Sequence, residues 1–169
     1  ERPRRPILAD VGQATVRDQI EALEDGRGVL DLDGWVATRV RGTDATGWLN
    51  DLVTAAVDAL TPGETLRSLL LGPTGRIRAD LQIARSDGAF LLLQSPGQPE
   101  PVGGLLDPYV LSSDVELVPG GLEDIALLPR PGPRWAIGDD VAGEVRAGEE
   151  AFGAWRVRHA IPAFPADVD

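Results

Sequence analysis

The sequence predicts a mixed α+β fold, and three observations lead to it. Ala45, Trp48, Leu49, Leu52 and Val53 stand at i, i+3, i+4, i+7 and i+8, the spacing of an apolar stripe along one helix face. Residues 76–85 follow a different period: Ile77, Ala79, Leu81 and Ile83 are apolar, while Arg76, Arg78, Asp80 and Gln82 between them are polar, as in a strand with one core face. Turn signals separate such segments at Thr61-Pro62-Gly63, Gly72-Pro73-Thr74-Gly75 and Ser86-Asp87-Gly88. Both periods in one chain exclude an all-α or all-β reading.

The remaining elements follow in order. Ala14 to Glu24 reads as a short amphipathic helix with Val16, Ile20 and Leu23 on one side, stopped by Gly26. Gly28 to Asp33 and Trp35 to Arg41 show strand-like alternation, broken at Gly34 and ended at Gly42. Thr43 or Asp44 can then cap the striped helix. Leu66 to Leu71 is apolar enough for a buried strand, and Ala89 to Gln94 is another, reached through the Ser86-Asp87-Gly88 hairpin. Gly104 to Leu111 reads as a helix made irregular by Pro108, and Asp114 to Val118 returns as a strand. From Trp35 onward the order is strand, helix, two or three strands, helix, strand, which matches an elaborated ferredoxin-like βαββαβ unit. Beyond Pro119-Gly120-Gly121 the expectation is a partial second α+β unit: strands at Glu123 to Leu128, Arg134 to Ile137 and Ala154 to His159, with a short helix over Asp139 to Val145. The chain is thus divided into a lead and helix over 1–27, a ferredoxin-like unit over 28–119 and a partial unit over 120–169.

Composition narrows the function. The 169 residues contain no Cys, which excludes disulfides, thiolate metal sites and Cys nucleophiles from them. All 16 basic residues are Arg, so Schiff-base and Walker-type lysine chemistry is excluded as well. A net charge of -11 opposes attraction to nucleic acid or an anionic membrane, while leaving room for a small anion held by a local Arg cluster. No apolar run approaches the roughly 20 residues of a membrane span, and no signal peptide is visible, so a soluble, cytoplasmic protein is expected.

Few residues single themselves out for chemistry. The lone His159 cannot form a His metal cluster and reads as structural. Asp31, Asp33, Asp139, Asp140, Glu149 and Glu150 come in pairs without metal-loop spacing, and Gly72 to Gly75 lacks the spacing of a phosphate cradle, so a hairpin turn accounts for it. Asp80 differs. Alternation places it in mid-strand, off the Ile77 to Ile83 core face, with Arg78 and Gln82 two residues to either side. A ligand on that face meets a carboxylate, a guanidinium and an amide; without a ligand, the same residues make an exposed face with an Arg–Asp pair.

Residues 28–42 resemble the opening strands of the YgfZ and glycine-cleavage T-protein (aminomethyltransferase) family. The resemblance continues through Asp44-Ala45, Trp48-Leu49, Leu52-Val53-Thr54, Val57, Leu60, Pro62-Gly63, Leu70-Leu71 and Gly72 to Leu81, then through Leu106, Tyr109-Val110-Leu111 and Asp114-Val115. It is good over about residues 15–118 and thin afterwards. It implies a folate-binding fold and tetrahydrofolate as the cofactor. It also implies that Asp80 matches the carboxylate lying against folate in aminomethyltransferases, where a carboxylate beside an amine can steer its protonation and stabilise developing positive charge. Trp35 matches an apolar position packing on the pterin side, and Arg67 and Ser95 fall at further pocket positions. With Arg78 and Gln82 from the alternation, these complete the expected site.

Ser95 departs from the Asn of T-proteins, its shorter hydroxyl reaching fewer pterin atoms, and Ala79 stands in place of the acid that precedes the catalytic one, which leans toward the YgfZ-like and demethylase-related branches. The YgfZ signature K-G-C-Y-x-G-Q-E is not in the chain, while Ala160-Ile161-Pro162 resembles the stretch leading to it, so the chain is expected to be the first half of a family member. The resemblance therefore implies a YgfZ-like tetrahydrofolate-binding protein linked to iron–sulfur enzyme maintenance, with an iron–sulfur protein as partner. Two alternatives stay open: a tetrahydrofolate-dependent aminomethyl or methyl transferase, and an interaction domain that has lost the folate site.

Overall fold

A computed structural model describes residues 14–138 and 145–168 of the protein. The chain opens with α1 (Val16–Glu24), started by a capping box in which the Thr15 hydroxyl accepts from the Asp18 N–H and Asp18 accepts from the Thr15 N–H. The strands β1 (Gly28–Leu30) and β2 (Val36–Arg41) follow, then α2 (Ala45–Leu52), whose apolar stripe packs on the sheet. The meander of β3 (Glu64–Leu71), β4 (Ile77–Ser86) and β5 (Ala89–Gln94) leads to α3 (Val102–Leu106) and β6 (Glu116–Pro119). Beyond these come β7 (Ala126–Leu128), β8 (Arg134–Gly138), β9 (Val145–Ala147) and α4 (Glu149–Arg158). None of the described helices is long and apolar enough to cross a membrane.

The α+β expectation holds, in the elaborated form. Between α2 and α3 lie three strands where a plain ferredoxin-like unit has two, giving the order β6-β2-β5-β4-β3 with every neighbouring pair antiparallel. The turn at Asp87-Gly88, both with positive φ, suits a two-residue hairpin between β4 and β5. The segment after Gly121 adds β8 and then β7 to the β3 edge of this same seven-stranded sheet, while β9 pairs in parallel with β1. The stretch read as a partial second unit is therefore joined to the first by main-chain hydrogen bonds.

The structure corrects three local readings. Residues 154–159, expected as a strand, instead form the end of α4 with His159 as its C-cap. Ala151 and Trp155, one helical turn apart, are fully buried while Val157 is exposed. Glu149 and Glu150 in the first turn and Arg156 and Arg158 in the last suit the helix dipole. Asp44 stands at the N-cap of α2 without a side-chain capping bond; it accepts instead from the Asp114 N–H, and the Thr43 N–H and hydroxyl both donate to the Asp114 carboxylate. The helix expected from Gly104 to Leu111 starts at Val102 and gives way at Asp107 to a single tighter turn containing Pro108, whose ring nitrogen has no hydrogen to donate. Of the helix expected over 139–145, residues 139–144 lie outside the described residues, and Val145 opens β9.

Two apolar layers lie on the two sides of the sheet. On one side Ala79, Leu81 and Ile83 of β4 pack with Val40, Leu49, Leu92, Val102 and Leu106, under α2 and α3. On the other, Ala37, Ala84, Leu91, Leu93 and Trp135 pack with Leu23 of α1, Leu30 of β1, Ala147 of β9 and Ala151 and Trp155 of α4.

Candidate functional site

Asp80 and Gln82 point to the second side, since alternate β4 residues fill the α2 side. At that end of the sheet the cover from α1, β9 and α4 is incomplete. A cleft of about 570 Å³ results, lined by Trp35, Arg67, Asp80, Gln82, Ser95 and Trp135 together with Phe152 and Arg156 of α4 and the segment from Ile161 to Ala166.

The floor is an ion pair in a strand ladder. Arg67 on β3 stands across from Gln82, with Leu69 across from Asp80, so the guanidinium reaches diagonally to the carboxylate. Both oxygens of Asp80 are engaged: Arg67 Nε donates to Oδ1 at 3.0 Å and Nη2 to Oδ2 at 2.6 Å. The side chains of Arg67 and Asp80 are only 23% and 15% exposed, so the planar fork works in a partly dry setting, where such paired charged bonds are strongest. Nη2 also donates to the Pro162 carbonyl at 3.0 Å, tying the floor to the 161–166 wall. Gln82 is almost fully buried, and its Oε1 accepts from the Thr65 hydroxyl at 2.6 Å.

The aromatic wall comes from residues distant in sequence. Trp35 precedes β2, Trp135 lies on β8, and Phe152 on α4 meets Trp135 edge to face with ring centroids 5.7 Å apart. Phe152 also stacks towards Trp155, with centroids at 6.1 Å, and the Arg156 guanidinium lies over the Phe152 ring at 5.6 Å.

Five of the six residues expected from the sequence thus meet at one cleft: Trp35, Arg67, Asp80, Gln82 and Ser95. Arg78 does not. It shares the parity of Asp80 but lies one pleat further along, exposed, where it pairs with Glu100. His159 has a structural role: its Nε2 lies 2.9 Å from Glu24 Oε2, linking α4 to α1, and its ring packs on Trp155. Gly72 to Gly75 forms the expected hairpin, with Gly75 at positive φ and the Gly72 N–H donating to the Arg76 carbonyl. Among the described residues no cluster of three His, Asp or Glu side chains is arranged to hold a metal ion. Sequence reasoning missed Gln94 and Gln98, which hydrogen-bond beside Asp80 and Ser95 without lining the cleft, and Trp135, Phe152 and Arg156, which line it. The first two sit at and beyond the end of β5, where strand alternation gives no guidance, and the last three reach the cleft only through tertiary packing.

Comparison with known proteins gives three findings. A sequence profile described as the GCVT N-terminal domain matches residues 5–123. No curated protein matches the chain. Among solved structures, the chain is similar to the glycine cleavage system aminomethyltransferase T from Bartonella henselae, with a TM-score of 0.51 and 17% sequence identity over 87% of this chain and 36% of that one. That likeness establishes a shared fold, and the chain spans about a third of the length of that structure.

Proposed function

The chain belongs to the GCVT N-terminal domain family, and on that premise we propose that it is a YgfZ-like tetrahydrofolate-binding protein whose ligand occupies the cleft over Asp80. The observation that carries this reading is the convergence of Trp35, Arg67, Asp80, Gln82 and Ser95 on one concave surface. At about 570 Å³ the cleft falls within the roughly 300–1,000 Å³ of small-ligand pockets. Its apolar walls and few polar floor groups suit a pterin, a flat ring with a polar edge. Trp35 supplies a ring face, and Gln82 and Ser95 supply polar atoms for the ligand's edge. Asp80 supplies a carboxylate that favours positive character on a nearby amine.

The bidentate clamp from Arg67 favours binding over group transfer. Each Asp80 oxygen already accepts from Arg67, so the carboxylate is held in one orientation, which suits fixing a ligand in place. A transferase related to the T-protein is the second reading. What favours it is that Asp80 lies on the cleft floor at the position resembling the functional carboxylate of aminomethyltransferases. A link to iron–sulfur enzyme maintenance, with an iron–sulfur protein as cytoplasmic partner, rests on the YgfZ resemblance. Reduced activity of an iron–sulfur enzyme in cells lacking the gene is its test.

Titration of the protein with tetrahydrofolate, followed by calorimetry, tests the binding reading. Saturable binding that Asp80→Asn weakens supports it. Absence of binding in a folded protein would leave an interaction domain that has lost the site. Transfer of a one-carbon unit to tetrahydrofolate, lost in Asp80→Asn, would favour the transferase.

A further inference from the structure

Asp80 lies where the ladder between β4 and β5 runs out. The final pair is Leu81 with Gln94, and Pro96 and Gly97 then carry the chain away, so no strand residue faces Asp80 on that side. Its main-chain groups are nonetheless paired. The Asp80 N–H donates to Gln98 Oε1 at 2.9 Å, and Gln98 Nε2 donates to the Asp80 carbonyl at 2.9 Å. A side-chain amide stands where the peptide group of a neighbouring strand residue belongs.

That amide is used to capacity. Gln98 Oε1 also accepts from Gln94 Nε2 at 3.2 Å, and Nε2 also donates to Ser95 Oγ at 3.0 Å. Gln94 in turn holds the loop, donating to the Glu100 carbonyl and accepting from the Val102 N–H. Because the Ser95 oxygen accepts from Gln98, its proton is left to donate, and it makes no hydrogen bond to the described residues. Gln82 repeats the pattern: it is more than nine-tenths buried, its oxygen accepts from Thr65, and its nitrogen makes no hydrogen bond to the described residues although the side chain lines the cleft. Each Asp80 oxygen accepts one bond from Arg67 and keeps a second lone pair, so the floor groups that make no hydrogen bond at all are the Gln82 amide nitrogen and the Ser95 proton, both donors.

We infer that Gln98 is a positioning residue for this cleft. It fixes the main chain of Asp80 and commits the Ser95 hydroxyl as a donor, so that Ser95 and Gln82 together receive acceptor atoms of the ligand, such as a ring carbonyl. The identity of the ligand rests on the folate reading above; the fixing of Asp80 does not.

Gln98→Ala and Gln98→Glu, compared with wild type by amide hydrogen exchange and tetrahydrofolate titration, test this. In Gln98→Ala the Asp80 amide should exchange about tenfold faster or more, while the Ile83 and Leu92 amides keep their protection, which separates local release from general loosening. Gln98→Glu still accepts from the Asp80 N–H but has no amide protons. It should keep Asp80 exchange slow while shifting the Leu81 nitrogen resonance, which senses the hydrogen bond on the Asp80 carbonyl. Both variants should weaken tetrahydrofolate binding by about tenfold, the size of one lost hydrogen bond. Unchanged Asp80 exchange in Gln98→Ala, or an unmoved Leu81 resonance in Gln98→Glu, overturns the positioning role. Wild-type binding that both variants retain overturns the donor role at the ligand. If wild type binds no tetrahydrofolate, the folate reading fails and the donor role falls with it, while exchange at Asp80 still decides whether Gln98 fixes the strand.

Discussion

The two faces of β4 have opposite fates although their residues alternate along one strand. Ala79, Leu81 and Ile83 meet α2 and α3, which come from within the same stretch of chain and present apolar side chains to them, so that face is sealed. Asp80 and Gln82 face elements from both ends of the chain, α1 and α4 with β1 and β9, whose apolar contact is made further along, around Ala84, Leu91 and Trp135. At the Asp80 end that cover stops short and the cleft opens. A helix with a matched stripe closes a sheet face, whereas a cover assembled from distant segments leaves space where polar groups can stay partly hydrated at small cost.

The largest expected effect breaks the sealed face. Leu49→Ala removes a fully buried side chain under α2 and should cost about 2–5 kcal/mol in urea unfolding. A loss below about 0.5 kcal/mol, the size of a typical surface change, would show that α2 does not seal that face. On the open face, Asp80→Asn keeps the side-chain shape but puts an NH2 donor in place of one acceptor oxygen, so one of the two bonds from Arg67 is lost and the other is no longer charge-assisted at the acceptor. It should cost less, about 1–2 kcal/mol, with the fold intact and tetrahydrofolate binding reduced. Arg78→Ala sharpens the boundary of the cleft: it should change stability by less than about 0.5 kcal/mol and leave tetrahydrofolate affinity unchanged. If it lowers affinity as Asp80→Asn does, the cleft extends further along the strand than described.

The smallest effect concerns the loops that anchor α2. The Thr43 hydroxyl, and then its N–H, donate to Asp114 and hold that carboxyl below its usual value. A carboxylate depressed in this way stabilises the fold above the unfolded pKa of about 4, and the gain is lost as pH falls through the lower folded value. Thr43→Val should therefore flatten the acid limb of the stability–pH curve slightly, as read by thermal unfolding between neutral and acid pH.

Much of the sealed face was legible in the sequence, because its code is local. The stripe of α2 and the alternation of β4 identified Leu49, Ala79, Leu81 and Ile83 as core and put Asp80 on the other side. Parity, however, reports a face and not a position along it, which is why Arg78 was grouped with Asp80. The residues that roof the cleft have no local signature for that role. In α4, Trp155 and Val157 imitate a strand, and only the burial of Ala151 with Trp155 and the exposure of Val157 reveal the helix. Gln98 lies in a Pro- and Gly-containing loop, and nothing in its neighbours signals that its amide stands in for a strand. The family resemblance supplied Trp35, Arg67 and Ser95, which periodicity alone does not join to Asp80.

The difference between the faces is tested most directly by mapping amide resonances during a tetrahydrofolate titration. Binding at the cleft predicts saturable shifts at Trp35, Asp80, Gln82, Ser95 and Gln98, with Leu49, Val102 and Leu106 on the sealed face unmoved. Shifts centred on α2 and α3, or no shifts in the folded protein at saturating ligand, would contradict the assignment of the Asp80 face as the folate site.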